Sequence, residues 1–215
     1  MKMRRALAGP AIFAALYMVG ASALALRAFN MEFIFYGLVM LLLMGTVWWV
    51  DTRVRLSTLT LWCLSIWGLA HMMGGTVPIP AELTEPGEQS VLYSLRLRPW
   101  LPKYDQVVHA FGFFTCTMAS WRAMNAIVCG ALGRSVDEDC LRPTFGPLFG
   151  AMMMGMGLSA MNEIVEFVAT LIFENTNVGG YVNTGWDLVS NFTGCVIGAL
   201  AIRSGWARRP RAGQA

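Results

Sequence analysis

Six long runs of apolar residues, at roughly 8–29, 31–50, 57–76, 104–128, 144–173 and 186–206, are separated by shorter polar segments. A helix needs about 20 predominantly apolar residues to cross the hydrocarbon core of a bilayer, and each run approaches or exceeds that length. The pattern predicts an all-α, polytopic transmembrane helical bundle of about six spans. Nearly the whole chain, 1–215, is then one membrane domain, with sizeable connections only at about 77–103 and, on the opposite side, about 130–143. The first run follows Lys2, Arg4 and Arg5, as a signal peptide would, but it is long and "LALRAFN" is a poor small-residue cleavage site, so a retained helix is expected.

Composition agrees with this reading: 56% of the residues are hydrophobic and 13% charged, against about 25% charged in a soluble domain. An even number of spans puts both termini on one side. That side carries Lys2, Arg4, Arg5, Arg53, Arg55, Arg134, Arg142 and the tail "RSGWARRPRAGQA", whereas the other has Arg27, Arg96, Arg98 and Lys103. By the positive-inside rule the termini are cytoplasmic. The net charge of +3 is accounted for by this asymmetry, so no nucleic-acid partner is implied and membrane lipids are the expected surroundings.

Within the connections, the alternation in "VLYSLRLR" suggests a short strand or an interfacial segment. The acidic run Asp137, Glu138, Asp139 reads as a solvated turn. Five cysteines without paired spacing predict no disulfide framework and no zinc knuckle: Cys63, Cys116 and Cys195 fall in spans, Cys129 and Cys140 near or in the 130–143 loop. The methionines of "GAMMMGMG" are expected to pack, and "NFT" at Asn191 lies within a span, where no glycan can be attached.

Ionisable residues inside spans cost about 2.5–3.5 kcal/mol each on insertion scales and normally face a bundle interior or a wet cavity. Asp105 stands at the outer start of the fourth span. His109 follows one turn on, about 40° around the helix and roughly 6 Å deeper. In "LAHMMGGT", His71 lies at a matching depth. Glu163 and Glu166 of "NEIVEF" neighbour each other at i,i+3, roughly 15 and 10 Å below the outer end of the fifth span. In "GWDLVSNFTGCVIG", Asp187 and Asn191 share a face that Gly194 and Gly198 continue as a smooth strip for close helix packing. Depth agreement across four helices predicts one outward-facing site.

Asp105, Glu163, Glu166 and Asp187 bring four negative charges against two histidines, with no lysine or arginine at that depth. Protons, a metal ion, or an inward-folding Arg27, Arg96 or Arg98 would balance them. His71, Asp105, His109, Glu163, Glu166 and Asp187 form a competent ligand set for a divalent metal such as zinc, manganese or iron. Glu163, Glu166, His109 and Asp105 are equally candidates for acid/base catalysis, with Tyr104 and Asn191 orienting substrate or cofactor. A purely structural cluster is the competing reading, in which Asp105 and Asp187 are helix N-caps.

The motifs "YDQVVH", "NEIVEF" and "WDLVSNFTGCVIG" resemble the D-x-x-x-H, E-x-x-Q/E and D-x-x-x-N-x-x-G-x-x-x-G signatures of VanZ-like membrane proteins, and the order H…YD…H…E…WD is similar to that of YjdF-like inner-membrane proteins. The resemblance covers about residues 65 to 200 and departs from the VanZ pattern at Glu166 and in "NTGWD". It implies a multi-pass protein of the bacterial cytoplasmic membrane, from families of which some members are linked to glycopeptide-antibiotic resistance and which have no established reaction. The expectation is an outward His/carboxylate site, cation-dependent and acting on a lipid or lipid-linked envelope substrate. A small proton-coupled transporter and a non-catalytic assembly subunit are the alternatives. An absence of polar groups in the inner half of the spans and of internal repeats counts against the transporter.

Overall fold

The computed structural model describes residues 4–205 except 28, 30, 85, 86 and 175. Six helices follow in order: α1 (Arg5–Arg27), α2 (Met31–Val54), α3 (Thr58–Thr76), α4 (Tyr104–Ala131), α5 (Phe145–Ile172) and α6 (Tyr181–Ser204). Each coincides with one of the apolar runs. The largest departure is α6, which begins five residues early because Gly180 caps it and accepts from the Asn183 and Thr184 amides. "VNTG" is therefore helical, and Asn183 stands one turn before Asp187.

By length and composition α1, α2, α5 and α6 are apolar enough to cross a membrane. They present large apolar side chains outward, among them Leu16, Val19, Leu42, Phe167 and Leu171. Helix α3 packs against α1 and α4, and α4, enclosed by α3, α5 and α6, can carry polar side chains because its surroundings are protein. Buried positions of α4 include Gln106, His109, Thr117, Ser120, Arg122 and Asn125.

Polar contacts fix the up-and-down order. Arg4 pairs with Asp51 at 2.8 Å and donates to the Leu56 carbonyl, Asp51 accepts from the Leu56 amide, Arg55 pairs with Asp137, and Arg203 donates to the Pro143 carbonyl. The start of α1, the α2–α3 corner, the α4–α5 loop and the end of α6 thus meet at one end, called here the basic face. The ends of α3 and α5 and the starts of α4 and α6 meet at the other. Lys2, Arg208, Arg209 and Arg211 lie outside the described residues.

One loop expectation is corrected and two are refined. Cys129 and Cys140 form a disulfide, with Cα atoms 5.4 Å apart. Asn125 supplies the reason: its carbonyl accepts from the Cys140 and Leu141 amides at 2.9 Å each and its amide donates to the Glu138 carbonyl at 2.7 Å, folding the loop back onto the last turns of α4. The acidic run is exposed as expected, yet it is more than a solvated turn, since Asp137 pairs with Arg55 and Asp139 lies 3.8 Å from Arg122. "VLYSLRLR" forms no strand: a single bridge joins Pro78 and Val91, after which Leu92–Ser94 turns in a 3₁₀ helix. That turn sends the Tyr93 ring against Gly74 and its hydroxyl onto the His71 carbonyl at 2.8 Å, so residues 91–94 cover the C-terminal end of α3.

The most extensive helix pair is α4 with α6, and glycine makes it possible. A Cβ built at Gly194 would lie 2.0 Å from the Ala110 carbonyl oxygen, and one at Gly198 2.9 Å from that of Phe114. Gly194→Ala is expected to lower stability by about 2 kcal/mol or more, since neither backbone can yield without parting the helices. Gly185→Ala, where a Cβ meets nothing within 4 Å, is expected to be neutral or slightly stabilising. Thermal unfolding of the two variants in detergent checks the contrast.

Candidate functional site

Three helices supply the centre. On α4, Asp105 and His109 lie one turn apart; on α5, Ser159, Asn162, Glu163 and Glu166 occupy successive turns of one face; on α6, Asn183, Asp187 and Asn191 repeat every fourth residue. The α6 row faces α4 because Gly194 and Gly198 extend it. Neither aspartate is an N-cap: Lys103 caps α4 and Gly180 caps α6.

His109, 3% exposed, is the hub. Its Nε2 lies 3.5 Å from Asp105 Oδ1 and 3.6 Å from Glu166 Oε1; its Nδ1 lies 3.0 Å from Asn191 Oδ1 and 3.6 Å from Glu163 Oε1. The Asn191 amide nitrogen donates to Ser159 Oγ at 2.6 Å and to Glu163 Oε1 at 3.1 Å, which leaves its carbonyl oxygen toward the ring. An acceptor at that position requires Nδ1–H. In the neutral imidazole the lone pair is then on Nε2, facing Asp105 and Glu166.

Asn162 donates to Glu166 at 2.8 Å, and Asn183 donates to Asp187 at 2.7 Å and to Asp105 at 3.5 Å. Two buried oxygens, Glu163 Oε2 and Asp187 Oδ1, accept no hydrogen bond. Among the described residues, no lysine or arginine forms an ion pair with any of the four carboxylates; Lys103 reaches them only through Asn183 Oδ1, at 3.1 Å. Two groups, Asp105–His109–Asp187 and His109–Glu163–Glu166, each bring three possible ligand atoms within 4.8 Å of one another. One imidazole nitrogen among carboxylate oxygens suits manganese, iron or zinc.

His71 lies apart from both groups. Its ring packs among those of Tyr36, Trp67 and Tyr93, and it lines a cavity of ≈ 20 Å³ together with Asp105 and Glu166. That is room for a water or a small ion. Tyr104 spends its hydroxyl on the Ala70 carbonyl at 3.0 Å, so it ties α4 to α3 and turns away from the carboxylates. Burial raises the Tyr93 phenol well above the usual tyrosine value, keeping it a donor to the α3 backbone.

Sequence reasoning passed over Glu32, Asn162, Ser159, Asn183 and the pair Lys103–Glu88. Glu32, 4% exposed at the start of α2, accepts from the Asn177 amide and side chain and lines the same small cavity. The available signal was a carboxylate opening an otherwise apolar span. Above that cavity a cleft of ≈ 690 Å³ opens between the 87–103 segment and residues 176–186, sharing Tyr93, Asp105, Asn177, Val178 and Asn183 with it.

The basic-face half of α4 is not free of polar groups, as the case against a transporter had assumed. Arg122 and Asn125 are buried there, but both bond to loop backbone, and Thr117 bonds to its own helix.

Asn191→Leu removes the donor to Ser159 and Glu163 and the acceptor of His109 in a buried place, and is expected to cost about 2 kcal/mol or more. Thr193→Val, on the lipid-facing side of the same helix, is expected to change stability by less than about 0.5 kcal/mol. Denaturation midpoints of the purified variants check this.

No curated protein and no solved structure matches the chain. The family model described as "Predicted membrane protein (DUF2238)" matches residues 9–208. The chain, an all-helical membrane protein with a buried histidine and carboxylate centre, belongs to that family.

Proposed function

We propose that the protein binds a divalent cation at the His109 centre and acts on a lipid or lipid-linked substrate of the bacterial cell envelope, as a VanZ-like or YjdF-like protein of the cytoplasmic membrane with its site outward. One observation carries the reading. A single imidazole holds together carboxylates from three helices, two of them with a buried oxygen that accepts no hydrogen bond. Unbalanced carboxylates in so apolar a setting repel one another unless a cation or protons join them.

In this reading Nε2 of His109, Asp105 and Asp187 hold the ion, and Glu166 lies close enough to complete the set. A bound divalent ion would supply Lewis acidity and lower the pKa of a bound water. The chain's own residues do the remainder. Asn191 and Ser159 hold His109 in its Nδ1–H form, as an acceptor on the far ring nitrogen does for metal-binding histidines. Glu163 Oε2, without a donor, has the capacity to take a proton. The ≈ 20 Å³ cavity admits water to Asp105 and Glu166, while any larger group stays in the cleft. The arginine asymmetry between the two faces supports placing the cleft outward.

Elemental analysis of the detergent-purified protein is expected to give close to one divalent metal per chain, lost in Asp187→Asn and in His109→Ala. Metal absent from the parent as well, with no uptake on adding Mn²⁺ or Zn²⁺, would overturn the reading. After chelation, adding the ion at about 100 times its Kd is expected to restore roughly 2.7 kcal/mol of stability. Asp187→Asn is expected to show no such gain, as thermal unfolding with and without the ion would record.

A further inference from the structure

We propose that the ≈ 690 Å³ cleft is a binding site for the anionic phosphate head-group of a membrane lipid that enters sideways from the bilayer, and that Glu88 occupies the head-group's place in the unliganded protein. The inference deepens the reading above, since it takes the cleft as the way in to the same centre.

The cleft is amphipathic. One wall is Tyr181, Val182 and Trp186 at the start of α6; Tyr181 is 94% exposed and Trp186 55% exposed. Exposed tyrosine and tryptophan at a helix end mark head-group depth, so this wall opens onto lipid. The other wall carries Lys103 and Arg96, with Glu88 beside them.

Lys103 is the informative residue. It is 8% exposed, and its ammonium donates to Glu88 Oε1 and to Asn183 Oδ1. A lysine so deeply enclosed is rare unless it is paired, and its carboxylate partner comes from the covering segment, not from the helices that build the centre. Glu88 fits the place poorly: its second oxygen, Oε2, is buried without a hydrogen bond. A phosphate brings more acceptor oxygens than a carboxylate. Backbone N–H groups in the first turn of α6, at Tyr181 and Val182, border the same space and lack intrahelical partners by their position. A cation held by Asp105 on the cleft floor would add to the attraction. The apolar wall argues for a phosphate carried by lipid over free phosphate.

The test is native mass spectrometry of the full chain in detergent, titrated with dioleoyl phosphatidylglycerol, dioleoyl phosphatidylcholine or glycerol phosphate. Phosphatidylglycerol is expected to bind at least tenfold more tightly than phosphatidylcholine, and glycerol phosphate at the same concentration is expected not to displace it. Glu88→Gln is expected to tighten phosphatidylglycerol binding several-fold. Lys103→Gln is expected to weaken it about tenfold, the loss of one charge-assisted hydrogen bond. Equal binding of the two lipids, or a Glu88→Gln variant that binds no tighter, overturns the proposal. Displacement by glycerol phosphate would assign the site to a soluble phosphate and overturn the lipid assignment. Because metal content is measured separately, failure here is distinguishable from failure of the cation reading.

Discussion

Carboxylates inside a membrane protein have few ways to be stable, and that constraint organises this structure. Four of them converge on His109, in a bundle whose outer surface is made of leucine, valine and phenylalanine. To bring them together the chain gives up hydropathy on the helices that need it least. Helix α4, enclosed by α3, α5 and α6, carries the histidine, and the outer helices α5 and α6 turn their acidic faces inward toward it. The glycines of α6 then let the α4 backbone come near enough for side chains as short as aspartate and asparagine to span the gap.

Polar contacts run from the 87–103 segment to the bundle interior. Glu88 meets Lys103, Lys103 meets Asn183, Asn183 meets Asp187 and Asp105, and His109 joins these to Glu163, Asn191 and Ser159. Such a chain in a low-dielectric setting is stabilising only when its members are satisfied. Glu163 and Asp187 each keep one buried oxygen that no donor in this chain reaches.

Much of this was legible in the sequence because membrane proteins are periodic and depth-ordered. Apolar runs gave the helices, and the four-residue spacing of Asp105 with His109 and of Asp187 with Asn191 gave their faces. The positions of those residues within their runs gave a common depth. Legibility failed where a neighbour in space decides the role. Asn183 was hidden because it precedes the apolar run that begins at 186, and it joins the helix only because Gly180 caps α6. Glu32 was hidden because a carboxylate at a span boundary is ordinarily solvated; here Asn177 covers it. Tyr104 stands beside Asp105 in sequence, yet helical geometry turns it toward α3. The Cys129–Cys140 bond depends on Asn125 folding the loop back, which no spacing encodes.

Asn183 has one carbonyl and one amide group, and it divides them between two compartments. The carbonyl belongs to Lys103 and the cleft; the amide belongs to Asp187 and Asp105 and the centre. A rotation of this one side chain changes both at once. On the readings proposed above, occupancy of the cleft and of the centre would accordingly not be independent events: whatever pulls on Lys103 would alter the field felt by the acid pair, and thermodynamic reciprocity would make the influence equal in the other direction. On those readings Asn183 would register the arrival of a ligand in the cleft at the centre itself.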